Sequence, residues 1–131
     1  MKKFFFAAVM ALTTLFATNC TGLTGAKQPV IDEENHTVNG VQYDDETYYC
    51  WKFEWETTTT YGGLAAAGGS EHDSGVDYYW WTEFDAQSYK AEWDYANNQK
   101  ATVAGASVKL KGTSKLTKLD NVSSSECYDL D

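Results

Sequence analysis

The feature that most constrains the fold is a run of alternating residues between positions 48 and 60. Aromatic side chains recur at every second position from 49 to 55, and a cysteine and two charged residues lie between them. Side chains of a β-strand point alternately to opposite faces, so the run predicts a strand with one aromatic face. We expect that face to form the core, because three large rings bury on the order of 500 Å². The aromatic members are Tyr49, Trp51, Phe53 and Trp55.

Local signals on both sides of this strand predict a hairpin and a helix. Asn39-Gly40 stands between two short β-type runs, and both residues tolerate the positive φ of a tight hairpin turn. Thr82 and Asp85 resemble a capping box, and apolar residues then recur at spacings of three and four. That spacing predicts an amphipathic helix that ends near residues 97–98. Its apolar stripe consists of Ala86, Tyr89, Trp93 and Ala96.

The remaining segments predict a loop and short strands. Five glycines between 62 and 77 indicate a long, mobile loop. Residues 78–81 predict a short strand leading into the helix, and a strand continuing through 86 is the alternative. Residues 103–111, broken at Gly105, predict one or two strands, with another near 116–119. The predicted fold class is α+β: a small, mostly antiparallel β-sheet with one amphipathic helix packed on its aromatic face.

The N-terminus predicts export. Lys2 and Lys3 precede an almost wholly apolar run from Phe4 to Phe16, which is shorter than the ~20 residues of a membrane span. We therefore interpret residues 1–19 as a secretory signal peptide. Polar, aperiodic residues 20–34 predict a flexible tether, and residues 35–131 a single small domain.

The place of cleavage has two interpretations. Ala17-Thr18-Asn19-Cys20 resembles the lipobox of bacterial lipoproteins, which implies that Cys20 is lipidated and anchors an outer-membrane or periplasmic protein. The alternative is cleavage after Ala26, where Thr24 and Ala26 give a small-x-small pattern. That cleavage would release a soluble periplasmic or secreted protein.

Two further cysteines, Cys50 and Cys127, remain in either case. An even number of cysteines in an oxidising compartment predicts a disulfide, and two free thiols are the alternative. Closing a loop of this size stabilises the fold by roughly 4 kcal/mol in the chain-entropy model.

The charge composition excludes one class of partner. The chain has 19 acidic and 10 basic residues, all ten of them lysine. The absence of arginine and of a large basic footprint argues against nucleic acid. Residues 100–118 nevertheless contain five lysines and no acid. They could bind an anionic polymer such as lipopolysaccharide. We favour a simpler interpretation, in which Lys109 and Lys111 lie on the outer face of a strand whose inner face holds Val108 and Leu110.

Several short motifs together resemble small exported lipoproteins of gut Bacteroidetes, a group of unknown function. The resemblance implies an envelope location. In Bacteroidetes lipoproteins that are sent to the cell surface, acidic residues usually follow the lipidated cysteine closely. None follows Cys20 closely here, so the resemblance implies the periplasmic side. The motifs are the Asn-Gly turn at 39–40, Tyr43-Asp44, Thr47, Cys50-Trp51, Trp81-Thr82-Glu83-Phe84 and Cys127.

Four consecutive aromatic residues are the candidate ligand-binding group. If they form a strand, two of them lie on one face of the sheet and the other two on the opposite face. They could be core, a protein interface enriched in Tyr and Trp, or a platform on which sugar rings stack beside carboxylates. The candidates are Tyr78, Tyr79, Trp80 and Trp81.

No sequence motif points to catalysis or to a cofactor. The chain has two histidines and no nucleophile elbow, so we expect no enzyme, with a hydrolase the least favoured function. The weak metal candidates are Glu71, His72, Asp73 and Asp77, and a solvated acidic loop explains them better. The sequence predicts a non-catalytic envelope module that binds an unknown protein, with a carbohydrate-binding module as the alternative.

Overall fold

The computed structural model describes residues 24–63, 69–103 and 106–131. The signal segment 1–19 and Cys20 therefore lie outside the described residues. The fold is α+β, as predicted, with two antiparallel sheets and two helices in the described chain. The strands are β1 (Thr24–Gly25), β2 (Ile31–Asp32), β3 (Thr37–Val38), β4 (Val41–Gln42), β5 (Tyr48–Gly63), β6 (Ser70–Thr82), β7 (Gln99–Val103) and β8 (Ala106–Leu119), and the helices are α1 (Glu83–Ala96) and α2 (Ser124–Leu130).

The main sheet is built around β5. Its strand order is β1-β7-β8-β5-β6, and every neighbouring pair is antiparallel. The strand predicted over 48–60 is confirmed and runs on to Gly63. It pairs with β6 from Tyr48 to Thr60 and with β8 from Cys50 to Gly63. Neighbours on both sides satisfy its backbone hydrogen-bonding groups, which accounts for its length.

The alternation of β5 divides the sheet into two faces. We call the face with Trp51, Phe53 and Tyr79 the inner face, and the face with Cys50 and Lys52 the outer face. The inner face is the core, as the aromatic pattern predicts. Helix α1 packs on it, and the rings of Tyr89 and Trp93 lie edge-on to Phe53 at 5.0 and 5.6 Å. The whole predicted apolar stripe of α1 is buried.

The limits of α1 follow the local signals. The Thr82 hydroxyl accepts a hydrogen bond from the backbone N–H of Asp85 at 3.2 Å, so the predicted cap is confirmed. At the other end, Asn97 donates its side-chain amide to the Trp93 carbonyl at 2.9 Å. The same carbonyl accepts the backbone N–H of Asn97 at 3.0 Å, so Asn97 closes the last turn of the helix with both groups.

The predicted hairpin at 39–40 is also confirmed. It joins β3 and β4 of a second, three-stranded sheet with the order β2-β3-β4. Asn39 and Gly40 have φ of 51° and 83°, the positive values that the turn requires. Val38 is the buried residue of this small sheet, and β3 contacts α1.

A disulfide and a short helix cover one end of the outer face. Cys50 and Cys127 are bonded, with 5.6 Å between their Cα atoms, and both are fully buried. Cys127 belongs to α2, which the sequence analysis did not predict. Ser123 and Glu126 have the spacing of a capping box, and the Ser123 hydroxyl accepts the Glu126 N–H at 3.3 Å. That spacing was the available signal for α2.

Part of the segment predicted as a flexible tether pairs with other strands where the structure describes it. Strand β1 pairs with β7, and β2 pairs with β3. The backbone N–H of Ala26 donates to the Asn98 carbonyl at 2.8 Å. Polar residues without periodicity can still pair when neighbouring strands offer free edges, so residues 24–34 pack on the domain.

The loop predicted over 62–77 is partly wrong. Its second half, residues 70–77, is strand and pairs with β5. Serine, glycine and acidic residues have low β propensity, but tertiary pairing overrides propensity in sheets. Strand β8 is likewise longer than predicted, running unbroken from Ala106 to Leu119. The break predicted at Gly105 lies outside the described residues.

Candidate functional site

Two of the four candidate aromatic residues belong to the core. Tyr79 and Trp81 lie on the inner face, 2 % and 8 % exposed, and their rings stack in parallel with centroids 4.0 Å apart. The Trp51 indole N–H donates to the Trp81 carbonyl at 2.9 Å. Tyr79 and Trp81 are therefore core residues, the first of the three interpretations of this group, and α1 covers the face on which they lie.

The other two candidates, Tyr78 and Trp80, lie on the outer face and are partly buried. Trp80 is the cross-strand neighbour of Cys50, and α2 contacts β6. Tyr78 is opposite Lys52, farther from the disulfide. Beyond Tyr78 on the same strand face comes Val76, which is 48 % exposed. Trp80 and Trp81 thus lie on opposite faces and share no groove.

Val76 borders a shallow groove on the outer face, with a volume of about 540 Å³. The groove runs across β6, β5 and β8 between two rows of side chains. One row is Val76, Glu54 and Lys115, and the other is Ser74, Glu56 and Thr113. Trp55, Gly75 and Ser114 lie between the rows. The side chains of Trp55 and Ser114 are on the inner face and Gly75 has none, so all three contribute strand backbone to the groove.

The charges beside the groove are mostly paired. The Lys52 ammonium lies 3.3 Å from the Glu54 carboxylate. Glu56 accepts a hydrogen bond from the Thr113 hydroxyl at 3.3 Å, and its carboxylate lies 4.0 Å from the imidazole of His72. Exposed pairs of this kind contribute little to stability. They give the groove a polar border with charges of both signs. We call the groove with Val76 and Tyr78 the outer-face groove.

A second cavity, of about 480 Å³, lies between α1, the hairpin and the N-terminal segment. Two of its charged side chains, Lys90 and Asp94, are already engaged. The Lys90 ammonium pairs with Asp94 at 2.7 Å, and Asp94 also accepts the Ser114 hydroxyl. Burial raises the pKa of the Glu92 carboxyl on the same helix, but Glu92 does not line this cavity. The cavity is therefore a weaker candidate than the outer-face groove.

The weak metal candidates are not brought together. All four lie on β6, where alternation puts His72 on the outer face and the three acids on the inner face. Asp73 and Asp77 are about 13 Å apart along the strand. Asp77 accepts the Trp55 indole N–H at 3.1 Å. In the chain segments that the structure describes, no three potential ligands are grouped to hold a metal ion.

The structure reveals one polar cluster that sequence reasoning missed. Asp45 accepts the Thr82 hydroxyl at 2.7 Å and lies 3.2 Å from the imidazole of His36. Both partners contact the carboxylate rather than each other, so the imidazole is not placed to activate the hydroxyl. The cluster ties the hairpin region to the start of α1. Long-range contacts of this kind leave no spacing signal in a sequence.

The tyrosine pair in the core is another buried polar group. The hydroxyls of Tyr79 and Tyr89 are 3.4 Å apart. Burial, with a smaller contribution from the hydrogen bond to Tyr79, raises the pKa of Tyr89 far above its ordinary value. Tyr89 therefore stays protonated at physiological pH and acts as a structural hydrogen-bonding group.

Neither described helix combines the length and the apolar character that a bilayer crossing needs. Comparisons with protein-family models, curated proteins and solved structures found no match to this chain.

Proposed function

We propose that this chain is an exported cell-envelope protein that works by binding a protein partner rather than by catalysis. The observation that carries the proposal is the outer-face groove. Val76, nearly half exposed, and Tyr78 lie beside a groove bordered by paired charges. Protein interfaces commonly combine an apolar or aromatic centre with a polar border. The proposed partner presents an apolar side chain to Val76 and polar groups to Glu56 and Lys115.

A carbohydrate ligand remains the second candidate. Tyr78 and Trp80 are two residues apart on the same face, so their rings are close enough to contact one sugar chain. Trp80 is partly buried, however, and lies beside the disulfide-bonded end of the sheet. Sugar stacking needs open ring faces, whereas a protein side chain can use Val76 directly. We therefore place the protein partner first.

The packing of residues 24–26 supports a lipid anchor at Cys20. Thr24 and Gly25 pair with β7, and Gln99 donates its side-chain amide to the Ala26 carbonyl at 3.2 Å. Cleavage after Ala26 would remove these contacts from the mature protein. Cleavage before Cys20 would keep them. We propose the second site, with the lipid on Cys20 holding the domain at a membrane surface in the envelope.

The test is capture of partners from envelope extract with Val76→Lys, followed by titration of each purified partner. Lysine at 76 would be opposite Glu54, so the strand keeps a favourable cross-strand pair. We expect about tenfold weaker binding, because an apolar contact at the centre of an interface is lost. Val30→Lys is the matched control, since Val30 is 66 % exposed and lines neither the groove nor the second cavity.

Equal affinity of wild type and Val76→Lys for every purified partner would rule out the outer-face groove as the binding site. Binding of the purified domain to a glycan array tests the carbohydrate alternative. Binding to an array glycan that disappears in Tyr78→Ala would establish the carbohydrate alternative instead. Mass spectrometry of the mature N-terminus tests whether Cys20 is lipidated. An unmodified chain that starts at Lys27 would show that the protein has no lipid anchor at Cys20.

A further inference from the structure

Three lysines lie together at the end of the outer face opposite the disulfide. Lys100 of β7 is directly across from Lys109 of β8, and Lys111 follows two residues farther along β8. All three are exposed. Directly opposite residues have Cβ atoms about 5 Å apart, and residues i and i+2 of a strand are about 7 Å apart. We call these three residues the distal lysine cluster.

The cluster has no acidic partner in residues 24–63, 69–103 and 106–131, where the ion pairs involve other residues. Its neighbours across the sheet on β5 are Thr60, opposite Lys109, and Thr58, opposite Lys111. The next strand contributes Ser70 and His72 at the same rows. The surroundings are therefore hydroxyl groups and an imidazole, and the nearest acid along β5 on this face is Glu56.

This arrangement is unfavourable without a ligand. Like charges directly opposite each other in a sheet destabilise it. The chain has nearly twice as many acids as lysines, and it pairs Lys52 and Lys90 with carboxylates. An anion placed between the ammonium groups of Lys100 and Lys109 would turn the repulsion into attraction. The cluster thus has the properties of an anion-binding surface.

The shape of the outer face favours binding of a single anionic polymer chain over binding of a flat membrane surface. Helix α2 lies on the same face through the Cys50–Cys127 bond, and it carries the exposed acids Glu126 and Asp129. A flat layer of anionic headgroups pressed on the face would meet these acids. A single polymer chain could lie along the lysines and avoid them.

The surrounding side chains favour a glycan over a nucleic acid. Single-stranded nucleic acids bind where aromatic rings stack on bases beside basic residues. Tyr61, the aromatic residue of β5 at this end, pairs with Val108 and points to the inner face. Hydroxyls of Thr58, Thr60 and Ser70 can instead exchange hydrogen bonds with sugar hydroxyls. Lysine binds anions as a point charge, which suits sulfate or uronate groups without fixed geometry.

We infer that the distal lysine cluster binds a linear anionic polysaccharide along the outer face of β7 and β8. This site lies beyond the outer-face groove on the same sheet and is separate from the proposed protein partner. Strand β8 alternates as the sequence predicts, with Val108 and Leu110 on the inner face and Lys109 and Lys111 on the outer face. The inference gives a function to the outer, lysine-bearing side of this strand.

The experiment is titration of the purified mature protein with dextran sulfate, with neutral dextran as the matched ligand control. At about 50 mM NaCl, we expect binding to dextran sulfate and none to dextran. The triple variant Lys100→Gln, Lys109→Gln, Lys111→Gln should bind at least about tenfold more weakly and should show a shallower salt dependence. Lys109→Arg keeps the charge and should bind like wild type.

The control triple variant replaces Lys27, Lys90 and Lys118 with Gln, which changes the net charge equally at other places. It should change the affinity by less than about twofold. Thermal unfolding should show that the distal triple variant is folded and no less stable than wild type, because a repulsion has been removed.

Equal weakening in both triple variants would attribute binding to net charge and overturn the inference. Absence of binding to dextran sulfate would also overturn it. So would tighter binding to phosphatidylglycerol vesicles or to poly(dT), which would assign the cluster to a membrane or a nucleic acid. The Val76→Lys variant keeps the distal lysine cluster and should bind dextran sulfate at least as tightly as wild type, so failure of the protein-partner proposal and failure of this inference are distinguishable.

Discussion

The indole ring of Trp93 lies against Gly112, so that a Cβ at position 112 would be 2.9 Å from the ring. The same relationship occurs across the sheet, where the ring of Trp55 lies 2.6 Å from the place of a Cβ at Gly75. Neither glycine has a positive φ, so backbone conformation does not require them. Both leave room for a tryptophan ring, and Gly112 allows α1 to approach β8 closely.

Gly112→Ala should therefore lower the free energy of unfolding by about 1–3 kcal/mol, because an added methyl overpacks a well-filled core. Trp93 is 2 % exposed, so its ring has no free space into which to move. Gly75→Ala should cost less, because Trp55 is only partly buried and can shift. Urea denaturation followed by far-UV circular dichroism measures both changes.

Gly69→Ala is the control for these variants, since no atom of the described residues lies within 4 Å of a Cβ at 69. It should change the unfolding free energy by no more than about 0.5 kcal/mol. If Gly112→Ala were as stable as Gly69→Ala, the close packing of Trp93 would not be a constraint on this fold.

The elements that could be predicted carry their signal locally. The alternation in β5, the Asn39-Gly40 turn and the spacing that begins at Ala86 each indicate one structure without knowledge of the rest. The strand at 70–77 could not be predicted, because its own residues favour a loop and its partner is mostly the threonine-rich part of β5. Pairing in three dimensions decides such a segment.

The candidate site could be predicted only in the part that has a local signal. Alternation shows that two of the residues 78–81 face one way and two the other. Which two are buried depends on the register with β5, where Trp51 is opposite Tyr79. The groove beside Val76 depends on three strands that are distant in sequence. No local pattern contains that information.

The disulfide makes α2 part of the fold. Cys50 and Cys127 are 77 residues apart, and opening a loop of this size costs about 4 kcal/mol in the chain-entropy model. Reduction should lower the unfolding free energy by about that amount. It should also make Trp80 more accessible to iodide quenching, because Trp80 neighbours Cys50. Two free thiols in the denatured, unreduced protein would contradict the bridge.

The Thr82 hydroxyl makes two hydrogen bonds, and a single substitution can remove both without changing the volume of the side chain. Its hydroxyl donates to Asp45 at 2.7 Å and accepts the Asp85 N–H at 3.2 Å, and the residue is 1 % exposed. Thr82→Val keeps the volume and loses both bonds, so it should destabilise the protein by about 1–3 kcal/mol. Thr82→Ser keeps the hydroxyl and should cost less. A Thr82→Val variant that melted at the same temperature as wild type would show that the hydroxyl contributes nothing.

Asp44 should make the stability depend on pH in the acidic range. Its carboxylate accepts the Thr47 backbone N–H at 2.9 Å, and this hydrogen bond lowers the pKa of Asp44 below the ordinary value of 3.8. A carboxyl with a depressed pKa in the folded state stabilises the fold above its unfolded pKa, and the stabilisation is lost as pH falls through the folded pKa. The stability difference between wild type and Asp44→Ala should therefore be constant from about pH 5 to pH 8 and should shrink below about pH 4. Thermal melts across this range measure it, and other titrating groups such as Asp32 largely cancel in the difference. Asp44→Asn is the control, because it keeps an acceptor for the Thr47 N–H but cannot ionise. The stability difference between wild type and Asp44→Asn should also shrink as pH falls. If it persisted unchanged at about pH 2, the ionised carboxylate would not be its cause.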